Sequence, residues 1–460
     1  MSVAEQNQKQ AAPPARRRLL TVFDEHHPPS AELIGDCVHC GFCLPTCPTY
    51  RLWGQEADSP RGRIYLMKLG LEGEVAMDKS YVEHFDRCLG CMACLTSCPS
   101  GVQYEKLIEA TRSQIERRFP RTLSETILRW MIFAIFPYPE RLRALSIPLW
   151  LYQRSGMQGL VKRSGLMSLL PKRLKAMDDL MPPVALPSPL PRAMESAGST
   201  FRKTPRLRVG MLLGCVQRVF FGDVNQATVR VLEAEGCQVI VPAEQGCCGA
   251  LMTHAGEEAS ALDFARRTID QFQAADVDVI AINAAGCGSA MKEYGHLLRD
   301  DPRYAARATA FAAKCRDISQ ILSELPPLAK RHALPLRVAY HDACHLQHAQ
   351  RITAQPRELL RCIPQLELRE IADSAICCGS AGIYNLLQPE AARELGAQKA
   401  RNVIGTDADV VVSGNPGCSL QLKISLKTAG ATMPVLHWIE LMDASISGTI
   451  PSALRPFIRR

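Results

Sequence analysis

Beyond Arg206 the chain alternates short apolar runs with stretches of helical periodicity. Arg208 to Leu213 has the length and composition of a strand, and Val224 to Glu235 repeats apolar residues at helical spacing until Gly236 stops it. Gln238–Val241 is again strand-like, Glu257–Ala274 helical, and Val277–Ile282 strand-like. The same order returns later, with strands near Arg337–Tyr340, Glu367–Ile371 and Asp409–Val412. Strands alternating with helices predict parallel sheets whose faces the helices cover.

The earlier half lacks this rhythm. Trp130–Phe136 and Ile147–Tyr152 are short apolar runs bordered by Arg129, Arg141, Arg143 and Arg154. Neither reaches the roughly 18 apolar residues of a spanning helix. Two readings stay open: a membrane-interfacial patch, or a helical linker whose apolar runs are core. Met181–Pro191 is rich in proline and reads as an extended linker.

The chain thus divides into a basic lead-in over residues 1–30, expected to be disordered, a region over 31–120, a helical and proline-rich linker over 121–205, and two further units at 206–330 and 331–460. The last two are copies of one another. Cys215, Cys247, Cys248 and Cys287 correspond to Cys344, Cys377, Cys378 and Cys418 at offsets of 129, 130, 130 and 131 residues. Both copies keep Cys-Cys-Gly in the middle and Gly-Cys at the end. A single long period of this kind marks duplicated domains.

Composition narrows the chemistry. At 460 residues, with 47% hydrophobic and 22% charged, the chain can build several cores. Its 19 cysteines are too sparse for a secreted disulfide scaffold and stand mostly in Cys-x-x-Cys or Cys-Cys groups, which favours reduced, metal-binding thiolates in a cytoplasmic setting. The net charge of +8 fits an ordinary solvated surface and gives no sign of a nucleic-acid partner. No G-x-G-x-x-G, P-loop or HExxH motif occurs, so the chain offers no flavin or nicotinamide site of its own.

The strongest motif is Cys37-x2-Cys40-x2-Cys43-x3-Cys47-Pro48, repeated as Cys88-x2-Cys91-x2-Cys94-x3-Cys98-Pro99. This is the spacing of two-cluster ferredoxins, in which three cysteines wrap one [4Fe–4S] cluster and the fourth reaches across to the other. It assigns Cys37, Cys40, Cys43 and Cys98 to one cluster, and Cys88, Cys91, Cys94 and Cys47 to the second. Gly41 and Gly90 allow the tight turns. The expected fold class is therefore α/β overall: an N-terminal α-helical, ferredoxin-like two-cluster domain followed by two duplicated parallel-sheet Cys-Cys-Gly domains.

In those domains Cys215, Cys247, Cys248, Cys287, Cys344, Cys377, Cys378 and Cys418 follow predicted strands, where open α/β sheets place their sites. They are candidates for a further cluster or metal. His341 and His345 flank Cys344, which suits metal or proton-transfer chemistry as well as a structural role. Cys237, Cys315 and Cys362 lie outside the pattern and are expected in the core.

The order Cys37 to Tyr50, then Ser59-Pro-Arg-Gly-Arg-Ile64, then Cys88 to Gly101, then two Cys-Cys-Gly domains resembles the iron–sulfur subunits of bacterial glycolate oxidase (glycolate dehydrogenase), from about Leu33 onward. The Cys-Cys-Gly domains alone also resemble heterodisulfide reductase subunits and lactate-utilisation proteins. What the resemblance implies is an electron-transfer subunit that is not catalytic by itself. It would serve an FAD-containing 2-hydroxyacid dehydrogenase acting on glycolate or D-lactate, with quinone or another membrane acceptor downstream and a peripheral place on the cytoplasmic face of the inner membrane. One departure stands out: the reductase pattern ends each domain in Cys-x-x-Cys, whereas Cys287 is followed by Gly-Ser-Ala and Cys418 by Ser-Leu-Gln. The rival reading, thiol–disulfide catalysis at Cys247/Cys248 or Cys377/Cys378, is weakened by the same departure.

Overall fold

The computed structural model describes residues 22–164, 178, 194–195 and 204–458. Residues 1–21 of the lead-in and the proline-rich stretch 181–191 lie outside them.

The N-terminal region is helical. Ser59 caps the helix Pro60–Glu72, its hydroxyl accepting from Gly62 N; Pro60 occupies the first turn, and Gly73 ends the helix in the left-handed conformation at φ 67°. Lys79–Asp86 and Tyr104–Arg118 pack beside it and bury Met67, Phe85, Leu107 and Ile108 completely. The reading of residues 1–30 as disordered does not hold for 22–30. Val22 and Phe23 complete this core, Val22 N donates to Gly70 O at 3.2 Å, and Asp24 accepts from Gln114 and Arg117. Two buried apolar side chains and a bidentate arginine offset the entropy of ordering the segment.

In the linker, Thr122 and Glu125 form a capping box that starts Leu123–Ile135. Pro139–Arg154 and Met157–Arg163 follow. The inner face of the first helix, Leu128 and Ile132, packs on Ile383 and Leu386 of the second copy. Its outer face leaves Leu123, Ile127 and Trp130 exposed, Trp130 at 68%. One face of this helix is core, as the buried-linker reading expects, and the other leaves apolar side chains at the surface. Among the described residues no helix is long and apolar enough to cross a membrane.

The two copies are α/β units. In the first, β1 (Met194–Glu195), β2 (Arg208–Met211), β3 (Gln238–Val241), β4 (Val279–Ile282) and β5 (Cys315–Asp317) form a sheet in the order β1-β3-β2-β4-β5. Every pairing is parallel except that of the short edge strand β1 with β3. In the second, β6 (Arg337–His341), β7 (Glu367–Glu370), β8 (Val410–Ser413) and β9 (Val435–His437) form an all-parallel sheet in the order β7-β6-β8-β9. The run Val410-Val-Val-Ser413 is buried throughout, as a strand covered on both faces must be. A single core joins the copies: Val209, Met211 and Val239 share it with Val338, Val410, Val412 and Trp438.

The strand orders place the site. From β2 the chain crosses to β3 on one side and then to β4 on the other; from β6 it does the same to β7 and β8. Crossovers that part in opposite directions leave a crevice at the carboxyl ends of the strands between them.

Candidate metal centres

Both ferredoxin-like loops fold on one backbone plan. The third and fifth residues take left-handed conformations in each: His39 (φ 54°) and Gly41 (φ 90°) in the first, Gly90 (φ 63°) and Met92 (φ 60°) in the second. A residue with a side chain rarely adopts this conformation, and it persists where the surroundings enforce it. The glycines announce half of this plan in the sequence; His39 and Met92 carry no such signal.

Cys94 and Cys98 both line the same small cavity as Cys37, Cys40 and Cys43, together with Arg61. Cys47 Sγ is buried, 3.2 Å from Thr49 Oγ1, and Cys88 Sγ lies 3.6 Å from the Tyr104 hydroxyl. The first loop faces solvent, with Cys40, Val38 and Phe42 exposed, whereas Cys88 and Cys91 of the second are buried. Soft thiols arranged around a cavity, with no carboxylate among them, are the donor set that iron–sulfur clusters take.

The Ser59-Pro-Arg-Gly-Arg63 segment braces both loops. Arg61 donates to His39 O at 2.9 Å and pairs with Glu56. A Cβ on Gly62 would lie 1.9 Å from Glu56 O, so only glycine fits. Arg63 is fully buried; it donates to His84 O and Thr49 Oγ1 and lies 3.5 Å from Asp58. Burial works against its charge, and the nearby Cys88, Tyr104, Cys47 and Asp58 outweigh it and raise its pKa. Burial pushes the Cys88 thiol up, but Arg63 and Arg112 win and hold it below its usual value. The second loop is thus a buried thiol set with two guanidiniums beside it, ready to receive anionic charge. Sequence reasoning identified the segment without its role, which needs contacts between residues far apart in the chain.

In the Cys-Cys-Gly copies, Cys215 and Cys287 follow β2 and β4, and Cys344 and Cys418 follow β6 and β8, on either side of each crevice. Cys215 Sγ lies 3.6 Å from Cys247 Sγ, and Cys344 Sγ lies 3.9 Å from Cys377 Sγ. Cys378 Sγ and Cys418 Sγ lie within 4.8 Å of one another, and the Cys247 and Cys287 thiols are among the groups that lower the Cys248 pKa. Glycine after the cysteine pair is required at Gly379, where φ is 89° and a Cβ would meet Ala392 O at 2.7 Å. All eight cysteines are buried except Cys287, which is half-buried.

The copies meet at these loops. Ala285 N donates to Gly414 O at 3.1 Å, Gly286 N to Asn415 Oδ1 at 3.3 Å, and His437 Nε2 is 3.0 Å from Asn283 O. A cavity of about 440 Å³ lies between them, lined by Cys215, Cys247, Cys248 and Cys287 from one copy and Cys344 and Cys418 from the other. Cys88 and Leu89 of the second ferredoxin-like loop and Phe136, Leu142 and Leu149 of the linker complete its wall.

That loop is also seated on the second copy. Cys91 shares a buried cluster with Leu89, Ala93, Cys344 and Cys377. His345 Nε2 is 3.0 Å from Gly90 O, and His348 bridges Thr96 Oγ1 (2.7 Å) and Ala375 O (2.9 Å). His345 therefore positions the loop, His348 is a contact that the sequence did not single out, and His341 lies instead beside Cys378 and Cys418. Cys237 and Cys315 are core as expected, but Cys362 is exposed, because it caps the end of the amphipathic helix Ala354–Arg361 on its outer side.

Residues 34–102 match the family described as 4Fe-4S dicluster domain, residues 209–292 and 338–423 match the cysteine-rich domain, and residues 124–181 match "Glycolate oxidase iron-sulfur subunit, linker region". The probable glycolate oxidase iron-sulfur subunit of Bacillus subtilis is 39% identical over 88% of this chain and 93% of its own length. The glycolate oxidase iron-sulfur subunit of Escherichia coli is 37% identical over 89% and 93%. Lactate utilization protein A of an Exiguobacterium species is 28% identical over 52% of this chain and 98% of its own. Two thiol loops on a helical domain, a linker packed across the second copy and two α/β units sharing one cavity are the parts that these similarities cover in order, and the chain belongs to the glycolate oxidase iron–sulfur subunit family.

Proposed function

We propose that this chain is the electron-transfer subunit of a membrane-associated 2-hydroxyacid dehydrogenase, with glycolate as the substrate class and D-lactate as the alternative. In this reading an FAD-containing partner oxidises the hydroxy acid, and quinone or another membrane acceptor lies downstream. The observation that carries it is the unequal setting of the two thiol loops: the first is open to a partner, and the second is buried against the cavity shared by the Cys-Cys-Gly copies. Cys37, Cys40, Cys43 and Cys98 would hold one [4Fe–4S] cluster, and Cys88, Cys91, Cys94 and Cys47 the other. Bound there, the clusters supply one-electron transfer. Arg61 orients the first loop, while Arg63 and Arg112 offset the charge of the second, and the surrounding apolar side chains exclude water from it. The eight Cys-Cys-Gly thiols, six of them at the cavity wall, would hold further metal.

The test uses the chain with and without its flavoprotein. Alone it should be inert towards glycolate; mixed with the partner under anaerobic conditions it should bleach in the visible when glycolate is added. Hydroxyacid oxidation by the isolated flavin-free chain would overturn the assignment.

For the membrane, the exposed apolar side chains Leu123, Ile127, Trp130, Ile147 and Leu151 on the linker support peripheral contact on the cytoplasmic face. Replacing Trp130, Ile147 and Leu151 with Ser should move the assembled enzyme from the membrane to the soluble fraction with its iron content unchanged. Retention on the membrane would reject this contact.

A further inference from the structure

The two Cys-Cys-Gly copies differ chemically at one buried position. His341 ends β6, three residues before Cys344; the residue three before Cys215 in the first copy is Leu212, which lies in an apolar core cluster. His341 is 2% exposed, and its Nδ1 is buried with no hydrogen-bond partner among the described residues. A buried polar nitrogen without a partner is costly and calls for an explanation. The ligand atoms of His341, Cys378 and Cys418 all lie within 4.8 Å of one another. Among the described residues no such trio occurs in the first copy.

Spacing and chemistry separate a single ion from a cluster here. Thiolates about 2.3 Å and an imidazole about 2.0 Å from a tetrahedral ion stand roughly 3.5–3.8 Å apart, which the trio can reach by a small contraction. A cubane spreads its cysteine sulfurs over a larger tetrahedron, because each is bonded to a different iron. Two thiolates and an imidazole are the donors that a zinc-class divalent ion takes. Asn415 Nδ2 lies 3.4 Å from Cys418 Sγ and would donate to the thiolate; the matching residue in the first copy is Ala284. Cys418 stands in the first turn of the helix Pro416–Thr428, where backbone N–H groups favour a thiolate.

We propose that His341, Cys378 and Cys418 form a mononuclear site for a zinc-class divalent ion, present in the second Cys-Cys-Gly copy and absent from the first. The proposal deepens the reading that the Cys-Cys-Gly thiols hold metal and rests on it. Cys418 also lines the central cavity, so the ion sits at its wall, within the reach of a small molecule that enters there.

The full chain, purified anaerobically, is titrated with Zn²⁺ and, as a spectroscopic probe, with Co²⁺, while iron and acid-labile sulfide are counted in the same samples. The wild-type protein should bind a single equivalent and give the visible spectrum of tetrahedral Co²⁺ with mixed nitrogen and sulfur ligands. His341→Ala and Cys418→Ser should each weaken Zn²⁺ binding by about 100-fold or more, since even losing a residue behind the ligands costs about 10–100-fold. Iron and sulfide should not change. His341→Cys should restore binding, with the Co²⁺ spectrum moved to that of an all-thiolate site. Unchanged Zn²⁺ affinity in His341→Ala, or loss of iron in place of zinc, overturns the proposal. If His341→Ala does not fold, the wild-type Co²⁺ spectrum decides, and a sulfur-only or octahedral spectrum overturns it. A wild-type chain without iron would sink the electron-transfer reading while leaving the Co²⁺ result to be judged separately.

Discussion

Replacing Cys91 with Ser should cut electron flow from glycolate to a quinone analogue by about 100-fold or more, since it removes a direct ligand where a residue behind a ligand already costs about 10–100-fold. Flavin reduction by glycolate in the partner should be untouched. The expectation follows from where Cys91 sits. It is buried in a cluster with Leu89, Ala93, Cys344 and Cys377, where the second loop meets the second Cys-Cys-Gly copy. Burial pushes its thiol well above the usual range, with Cys377 the nearest contributor after it, so a serine there would be left in a dry site without charge to offer a metal. Stopped-flow absorbance at flavin and cluster wavelengths separates the two steps. If quinone reduction survives in Cys91→Ser at wild-type rates, the second loop does not lie on the route and the proposed function fails at that point.

The second large effect tests which thiols act together. Cys47 belongs in sequence to the first loop, yet its sulfur is buried beside Thr49 near the fully buried Arg63, whose charge it supports together with Cys88. Cys98 belongs to the second loop, yet it lines the cavity of Cys37, Cys40 and Cys43, as Cys94 also does. Burial raises the Cys37 pKa, and of these two thiols it is Cys98 whose charge adds to the rise. Cys47→Ser should therefore disturb the cluster held by Cys88, Cys91 and Cys94, lowering ferredoxin-domain iron from about eight to about four per chain, while the partner cluster keeps its EPR signal. Cys98→Ser should do the reverse. A Cys47→Ser protein that lost the signal of the Cys37 loop and kept the other would show that each loop closes on its own cluster.

The cluster motifs were legible in the sequence because their geometry is local. Four cysteines within eleven residues, with glycine where the turn needs a left-handed backbone, define a metal-wrapping loop before any tertiary contact forms. The parallel sheets were legible for a similar reason: strand and helix periodicities are read over about ten residues, and the repeated cysteine register showed that the second unit copies the first. The position of the Cys-Cys-Gly thiols after the strands then followed from the alternation itself.

What the tertiary structure decided depends on which folded surfaces meet, and no local pattern encodes that. The packing of Val22 and Phe23 against Gly70 needed a groove built by three other helices. The exposure of Cys362 depended on which side of a short helix faces out. The left-handed His39 and Met92 are held by their surroundings against their own preference. Most consequentially, the seating of Cys91 on Cys344 and Cys377, and the pairing of Gly286 with Asn415 that joins both thiol sets in one cavity, arise only when three separately patterned units dock. The sequence by itself determined the kind of chemistry and the scaffolds that carry it; the docking of those scaffolds, driven by burial of apolar surface far apart in the chain, decided which thiols share a site.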